Sequence, residues 1–521
     1  MAVIGSGPTG AACARALIRR GLVPTMIDVG ETLAADRRTV VDRMSTVPPI
    51  QWSREDREFI SANPTVSGGG IPKKLVFGSD FHFARDRAFS PTSAEDGTPC
   101  PTFAQGGFSL AWGGAILPTH DCDLDGWPVR WSNLEPSYRR VLNEMPMSAA
   151  HDRLEAAFPI LKESFSPLPI SEDLKGLLAD LNGIASCDDE APFLCGRARL
   201  AVDASKCRSC GLCLTGCVYG AIHSFSPEIE SLDRTGALRY LSGRAVQTLA
   251  EDRTGVRVRI QRIHDSEMEE EHFDRVFLAA GAIQSTRVIL TSLKRFNEPV
   301  SMKDSQKFVL PLLRTRRFPM AWPNTVSLPG LFVEFKVPDV SRHWVHAQVS
   351  TVNDYVLQRL GISSRTGALR RKVSAPLYER LLVAWCGIHS DHSSGIELKL
   401  SSRRRDDLPV LELRPRLSAE ARPTVRRVAR YFARHLRRAG TFAMTPALTF
   451  AAPGGGSHFG GTLPMSANPR RRLETDTLGR LPEWGRIHVV DGSILPTVPA
   501  TTVALLQMAN ADRIASCVEM S

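Results

Sequence analysis

The sequence predicts a mixed α/β fold in which a parallel sheet with covering helices is joined to an antiparallel sheet and to a small cysteine-bearing insertion. Three observations carry this reading. The chain starts with a buried-type strand, Ala2-Val3-Ile4, that runs through Gly5-Ser-Gly7-Pro-Thr-Gly10 into a helical stretch, Ala11 to Arg20. Alternating apolar runs such as Trp344-Val-His-Ala-Gln-Val and Gly395-Ile-Glu-Leu-Lys-Leu read as half-buried antiparallel strands. Between these regions four cysteines fall within eleven residues, Cys207-Arg-Ser-Cys210-Gly-Leu-Cys213-Leu-Thr-Gly-Cys217.

The N-terminal unit has the form of a Rossmann-like βαβ start. A lone G-x-G-x-x-G is a weak signal, but here it follows a strand, opens a helix, and meets Asp28 18 positions after Gly10, at the end of a second strand, Pro24-Thr-Met-Ile. Gly5, Gly7 and Gly10 allow the tight turn and bring a pyrophosphate close to the helix N-terminus. Asp28 is placed to hold ribose hydroxyls. A glycine-rich turn without a ligand would leave the Asp28 spacing unexplained.

The cysteine run has C-x2-C-x2-C-x3-C spacing, which lets one loop aim several thiolates at one cubane iron–sulfur core. Gly211 and Gly216 ease the backbone turns. Structural zinc usually draws two ligand pairs from separated knuckles, so it fits this crowding poorly. Ferredoxin runs usually place Pro after the last cysteine, and this chain has Val218. Cys207, Cys210 and Cys213 are therefore firmer ligands than Cys217. A [3Fe-4S] cluster, or a fourth ligand from Cys195 or Cys187, stays open beside [4Fe-4S].

Further along, Gly-Val-Arg-Val-Arg-Ile at 255–260 alternates as a strand should. Val425, Val428, Ala429, Phe432 and Leu436 follow helical spacing, which leaves Arg426, Arg427, Arg430, Arg434 and Arg437 as the solvated side of a packed helix. Near the end, Gly485-Arg-Ile-His-Val-Val-Asp491-Gly492-Ser493-Ile-Leu-Pro496-Thr precedes an apolar helical stretch, Thr502 to Ile514.

Together with the N-terminus, these C-terminal residues resemble the glucose-methanol-choline (GMC) oxidoreductase family. Two internal segments extend the resemblance. Gln105-Gly106-Gly107-Phe-Ser109-Leu-Ala111-Trp112-Gly113-Gly114 looks like the family's flavin-facing loop, and Arg275-Val-Phe-Leu-Ala-Ala-Gly281-Ala-Ile-Gln-Ser285-Thr286-Arg looks like its internal AAGA signature. The resemblance implies FAD, held by Gly5, Gly7, Gly10, Asp28, Gly107, Ser109, Trp112, Gly113, Gly281, Asp491 and Gly492. Ala111 stands where sugar oxidases of the family carry a flavin-attaching His, so the FAD is expected to be noncovalent. No second G-x-G-x-x-G for a nicotinamide occurs; Gly68-Gly69-Gly70 and Gly454-Gly455-Gly456 are looser loops.

Gly455-Gly456-Ser-His458-Phe-Gly460-Gly461-Thr462 matches the family's H-x-x-G-T segment, which implies His458 as the base beside the flavin. An imidazole accepts a proton near neutral pH, which suits the role. Where the family has a second His or Asn, this chain has Thr502, a hydroxyl able to orient an alcohol but a poor base. His389 and His392, in Gly387-Ile-His-Ser-Asp391-His-Ser, are candidates from the substrate region to supply the missing group. An ordinary polar turn is the plainer reading of that pair, and no third metal ligand is evident beside it.

Composition narrows the field. With 43% hydrophobic residues the 521-residue chain fills two or three units. Its net charge of +10 favours an acidic electron acceptor or an anionic substrate. No recognised fold or aromatic interleaving supports nucleic-acid binding. The chain starts in a strand and shows no uninterrupted apolar run of 18 residues, so no membrane span is expected and a cytoplasmic, thiol-reducing setting is. The expected organisation is a discontinuous FAD domain of residues 1–150, 226–300 and 455–521, an iron–sulfur insertion at 151–225, and a substrate domain at 301–454.

The combined expectation is an FAD and iron–sulfur dehydrogenase. It would oxidise an alcohol on a sugar, polyol or related scaffold and pass electrons to a ferredoxin-like protein or quinone. A bare electron-transfer subunit, a ferredoxin-driven reductase and a redox-neutral epimerase are the alternatives.

Overall fold

The computed structural model describes residues 1–61, 74–83, 86–186, 190–319, 324–352 and 376–519. Cys187 and Gly68-Gly69-Gly70 lie outside the described residues. Among the described residues the mixed α/β architecture has four sheets, of seven, five, five and three strands, and the two main ones for the site are a five-stranded parallel sheet and the seven-stranded sheet.

The first sheet is parallel, in the order Ile487–Val489, Val276–Leu278, Ala2–Ile4, Thr25–Ile27 and Arg239–Leu241. These strands come from three widely separated stretches of chain, and three adjacent ones, Ile487–Val489, Val276–Leu278 and Ala2–Ile4, are buried at every residue, as a sheet covered on both sides requires. The helix Pro8–Arg19 returns from Ala2–Ile4 and packs against the C-terminal helix Val503–Cys517. Asp512, fully buried in the latter, accepts from Arg140 of the helix Trp131–Asn143 at 2.9 Å and pairs with Arg19, which ties the three helices together. The strand Val256–Arg262 buries Val256, Val258 and Ile260 and exposes Arg257 and Arg259, as its alternation predicts.

The second main sheet is antiparallel. It runs from Thr441–Ala443 through Lys307–Arg314, Leu381–Gly387, Ser341–Thr351 and Leu331–Val337 to Phe193–Arg197. Its edge strand Phe193–Arg197 belongs to the segment that also carries the cysteine run. The helix Ala421–Arg438 lies across this sheet and buries Val425, Val428, Ala429, Phe432 and Leu436, the face its spacing predicts. Each such side chain contributes about 1.5–3 kcal/mol of burial, and the arginines stay at the surface. Among the described residues no helix is long and apolar enough to cross a membrane.

Candidate active site

The glycine turn at the N-terminus shapes one end of a large cavity. Gly5 has φ +99°, and a side chain there would come within 2.6 Å of the Ala279 carbonyl oxygen. A Cβ on Gly107 would sit 2.9 Å from Gly7 Cα, and one on Gly10 would overlap the Gly5 carbonyl. The helix after Gly7 has Pro8 at its start, no side-chain cap and no acidic residue in its first turn. Its free N–H groups and positive dipole end are therefore available to an anion. Asp28 ends the next strand, where its Oδ2 accepts from Tyr240 Oη at 3.0 Å and from Ser6 Oγ. Burial pushes its carboxyl up to about 6 against those hydrogen bonds.

The cavity measures about 520 Å³ and extends from Gly5, Gly7 and Asp28, past Gly107, Ser109, Trp112, Gly113 and Gly281, to Asp491, Gly492, Thr502 and His458. The fold thus gathers every sequence-predicted cofactor and catalytic residue except Gly10 onto one cavity wall. Gly10 instead packs the helix against the turn.

Several of these residues shape the wall through their own hydrogen bonds. Asp491 accepts from Gly281 N at 2.8 Å and from Ser285 through Oδ2, and from Ser493 N at 2.9 Å through Oδ1. It fixes the second dinucleotide-facing helix start, Gly281 with Ala282–Ser292, against the Asp491-Gly492 turn. Ser109 Oγ donates to the Gly106 carbonyl at 2.6 Å and accepts from Phe225 N at 3.1 Å. The Thr502 hydroxyl accepts from Leu117 N at 2.6 Å and donates to the Leu117 carbonyl at 3.1 Å, so its one proton is spent on backbone.

At the far end, His458 follows Ser457, a residue with φ +55°, and is lined up with Lys307 and His346. Burial, then the charges of Lys307 and His346, hold its imidazole well below the ordinary value. Its Nδ1 is buried without a hydrogen-bond partner. A neutral ring on the wall of a cavity is equipped to accept a proton.

Residues that the sequence reading missed complete this end. Glu334, His346, Gly387 and Lys307 stand in register across four neighbouring strands. Glu334 is fully buried and pairs with His346 Nδ1, while Gln348 Nε2 lies 2.9 Å from His346 Nε2, so the ring is held at both nitrogens. Lys307 Nζ reaches Ser305 Oγ and the Ala500 carbonyl, each at 3.2 Å, and burial lowers its amine to about 8. Gly387 leaves the room: a Cβ there would overlap Lys307 Nζ. Trp385 adds an aromatic wall. One signal was present in the sequence, a carboxylate inside an otherwise apolar strand, Leu331-Phe-Val-Glu334-Phe. His389 and His392, the candidates for a second polar group, do not line the cavity, whereas His346 and Lys307 do.

Arg287 and Gln284, on the second helix start, also face the cavity. Each keeps one buried nitrogen without a partner, Nη2 and Nε2 respectively. Such orphaned donors suit a phosphate or an amide-bearing ring, and with the two open helix starts they fit a dinucleotide of FAD's size and charge.

The cysteine loop is fastened to this wall at both its ends. Ala201 N donates to Gly114 O at 2.6 Å, Ile116 N to Arg199 O at 2.9 Å, and Trp112 Nε1 to His223 O at 2.7 Å. Gly211 and Gly216 take φ of +77° and +115° as their turns require, and a side chain on Gly216 would strike the Phe77 ring. Burial first, and then Cys213, Cys217 and Cys207 beside it, pushes the Cys210 thiol up to about 12. Among the described residues no three cysteine sulfurs lie within 4.8 Å of one another. Lys74 lines the cavity, donates to Trp112 O at 3.0 Å and feels the charges of Cys213 and Cys217, while burial lowers its amine to about 8. Cys195 lies elsewhere, in the core of the antiparallel sheet, with its Sγ on Asn182 Oδ1 at 3.2 Å.

Residues 392–511 match the GMC oxidoreductase family through its C-terminal domain. The match begins inside 301–454, a region where the motifs alone carried no claim. No curated protein matches in sequence. Among solved structures, pyridoxine 4-oxidase from Mesorbium loti superposes with a TM-score of 0.62 at 14% identity, over 99% of this chain and 98% of that one. The chain therefore shares the fold of that enzyme over nearly its whole length, and its 392–511 segment matches the GMC oxidoreductase C-terminal domain in sequence.

Proposed function

We propose that this protein is a GMC-type FAD dehydrogenase that oxidises an alcohol on a sugar, polyol or related polyhydroxylated scaffold, with electrons leaving through an iron–sulfur cluster. The C-terminal GMC match and the fold support an oxidoreductase acting on CH–OH groups. The observation that carries the reading is the continuity of one cavity from the dinucleotide turn to His458, closed by the polar row of Lys307, His346 and Gln348. An electron-transfer subunit would have no use for that second half.

Bound FAD supplies the hydride acceptor; Gly5, Gly7, Asp28, Gly107, Gly281, Arg287 and Gly492 are the residues that would hold it. His458, neutral and on the cavity wall, takes the carbinol proton on its ring. Lys307, cationic below about pH 8, stabilises negative charge on the substrate oxygen and keeps His458 deprotonated. Glu334 fixes the His346 ring, and His346, Gln348 and Trp385 orient neighbouring hydroxyls and the sugar face.

The four thiols would hold the cluster, and its chemistry is single-electron carriage. Support comes from the C-x2-C-x2-C-x3-C spacing, which is that of a cubane-cluster loop and crowds four thiols more closely than separated zinc knuckles do. A buried Cys210 that stays protonated without metal gives up its proton on ligation. Lys74 and the Trp112 carbonyl link this loop to the cavity, and the net charge of +10 suits an acidic carrier protein or a quinone site as acceptor. A cytoplasmic setting keeps such thiols reduced.

Anaerobic purification with iron, sulfide and flavin assays, followed by sugar and polyol panels watched for flavin bleaching, tests both halves. Bleaching by a polyol, with about four irons and one FAD per chain, is the expected result. Zinc without iron overturns the cluster, and failure of every alcohol to bleach the flavin overturns the dehydrogenase.

A further inference from the structure

His389 and His392 lack a third ligand in the sequence, but the fold supplies one from far upstream. Asp123, His343 and His389 are 1%, 4% and 1% exposed, and one ligand atom from each lies within 4.8 Å of the other two. Asp123 Oδ2 and His389 Nε2 are buried with no hydrogen-bond partner. Leaving a buried polar atom unsatisfied costs on the order of 1–3 kcal/mol, so two of them facing one cluster ask for a shared occupant. Asp391 stands beside both rings, its Oδ2 3.4 Å from His343 Nε2 and 3.5 Å from His389 Nδ1. His389 Nδ1 accepts from Asp391 N at 3.2 Å, which leaves Nε2 as its free nitrogen, and a carboxylate behind an imidazole, as Asp391 stands behind His343, is the usual support for a metal-bound histidine.

We propose that Asp123, His343 and His389 bind one divalent transition-metal ion, Zn²⁺ foremost, with Asp391 as its supporting or fourth ligand. Two imidazoles and a carboxylate form a borderline donor set that suits zinc and is a poor cage for Mg²⁺ or Ca²⁺, which prefer oxygen throughout. Two carboxylates also balance a +2 ion. The His343 and His389 rings lie face to face with centroids 3.6 Å apart. Ligation turns one ring about its side-chain torsions so that its in-plane lone pair reaches the ion, and the ion takes the place of the ring proton.

None of the three ligands lines the cavity, so the ion is structural. It would join the Asp121–Leu124 turn to the strand Ser341–Thr351 and to the loop at 388–392. Ser390 of that loop donates its N–H to the Val498 carbonyl at 3.0 Å, and its Oγ accepts from Val498 N at 2.9 Å. The segment leading to Thr502 is thereby braced from behind.

The test is zinc content and zinc-edge X-ray absorption of the full-length holoprotein, purified anaerobically and supplied with Zn²⁺. The zinc edge does not see cluster iron. The expected result is one zinc per chain with a nitrogen and oxygen shell, lost in His389→Ala and Asp123→Asn while flavin and iron contents are unchanged. Asp391→Asn should weaken zinc about 10- to 100-fold. Absence of zinc after supply, a sulfur-dominated shell, or equal zinc in wild type and both variants overturns the proposal. Should the ligand variants fail to fold, the wild-type edge alone decides.

Discussion

The two ends of the cavity are specified in different ways. The dinucleotide end is written in backbone: Gly5, Gly10 and Gly107 are there because a Cβ would collide with a neighbouring carbonyl or Cα, and two helix starts offer bare N–H groups. The substrate end is written in side chains that meet only through strand register, with Glu334, His346, Gly387 and Lys307 contributed by four strands. The first end is built from short local motifs whose glycines leave no room for a side chain. The second is assembled at a distance and can be altered one group at a time.

Substitutions should separate the two ends. The largest effect is expected from Gly10→Ala, whose Cβ would overlap the Gly5 carbonyl; the purified protein should lack flavin absorbance or fail to accumulate. His458→Ala should lower the flavin-reduction rate by about 10²- to 10⁴-fold, the usual worth of a positioned base, with flavin content and melting temperature held. Bleaching at the wild-type rate would remove His458 from the chemistry. Glu334→Gln keeps the shape of the buried acceptor and removes its charge; on the order of a tenfold loss in kcat/KM is expected, with cofactor content unchanged.

The pH profile sharpens the contrast further. His458 titrates below the ordinary histidine value, so activity should hold from neutral pH downward until its proton returns. Lys307 loses its charge near pH 8, which sets an alkaline limb. In Lys307→Met the alkaline limb should vanish and the acid limb should move to higher pH, because the cation that disfavours protonation of His458 is gone. The smallest effect belongs to Thr502→Val. Loss of its two hydrogen bonds to Leu117 should cost about 1–2 kcal/mol by denaturant titration and leave the pH profile in place.

The same contrast explains what could be read from the sequence. The Gly5 to Asp28 turn, the segments at 105–114 and 275–287, and the Asp491-Gly492 pair all came to one cavity because each is a short local motif whose glycines have a steric cause. The helix at Ala421–Arg438 was legible for a similar reason, since a single period sets its buried face. Lys307 and His346 were not legible, because nothing in 300–350 announces which strands will be neighbours. His389 and His392 drew attention by closeness in sequence, yet neither lines the cavity, and His389 sits instead with Asp123 and His343. The role of Thr502 was also beyond reach, because its partner Leu117 lies 385 residues away.

Gly387 gives this arrangement an unusual evolutionary handle. The position offers no functional group at all, and its contribution is the space that Lys307 occupies. A methyl group added there would overlap Lys307 Nζ and lie 3.1 Å from the Ala500 carbonyl oxygen, so the ammonium would have to leave its present hydrogen bonds while its charge stayed on the chain. A relative of this protein could therefore carry every polar residue of this end, yet hold its cation in a different place, through one apparently silent glycine.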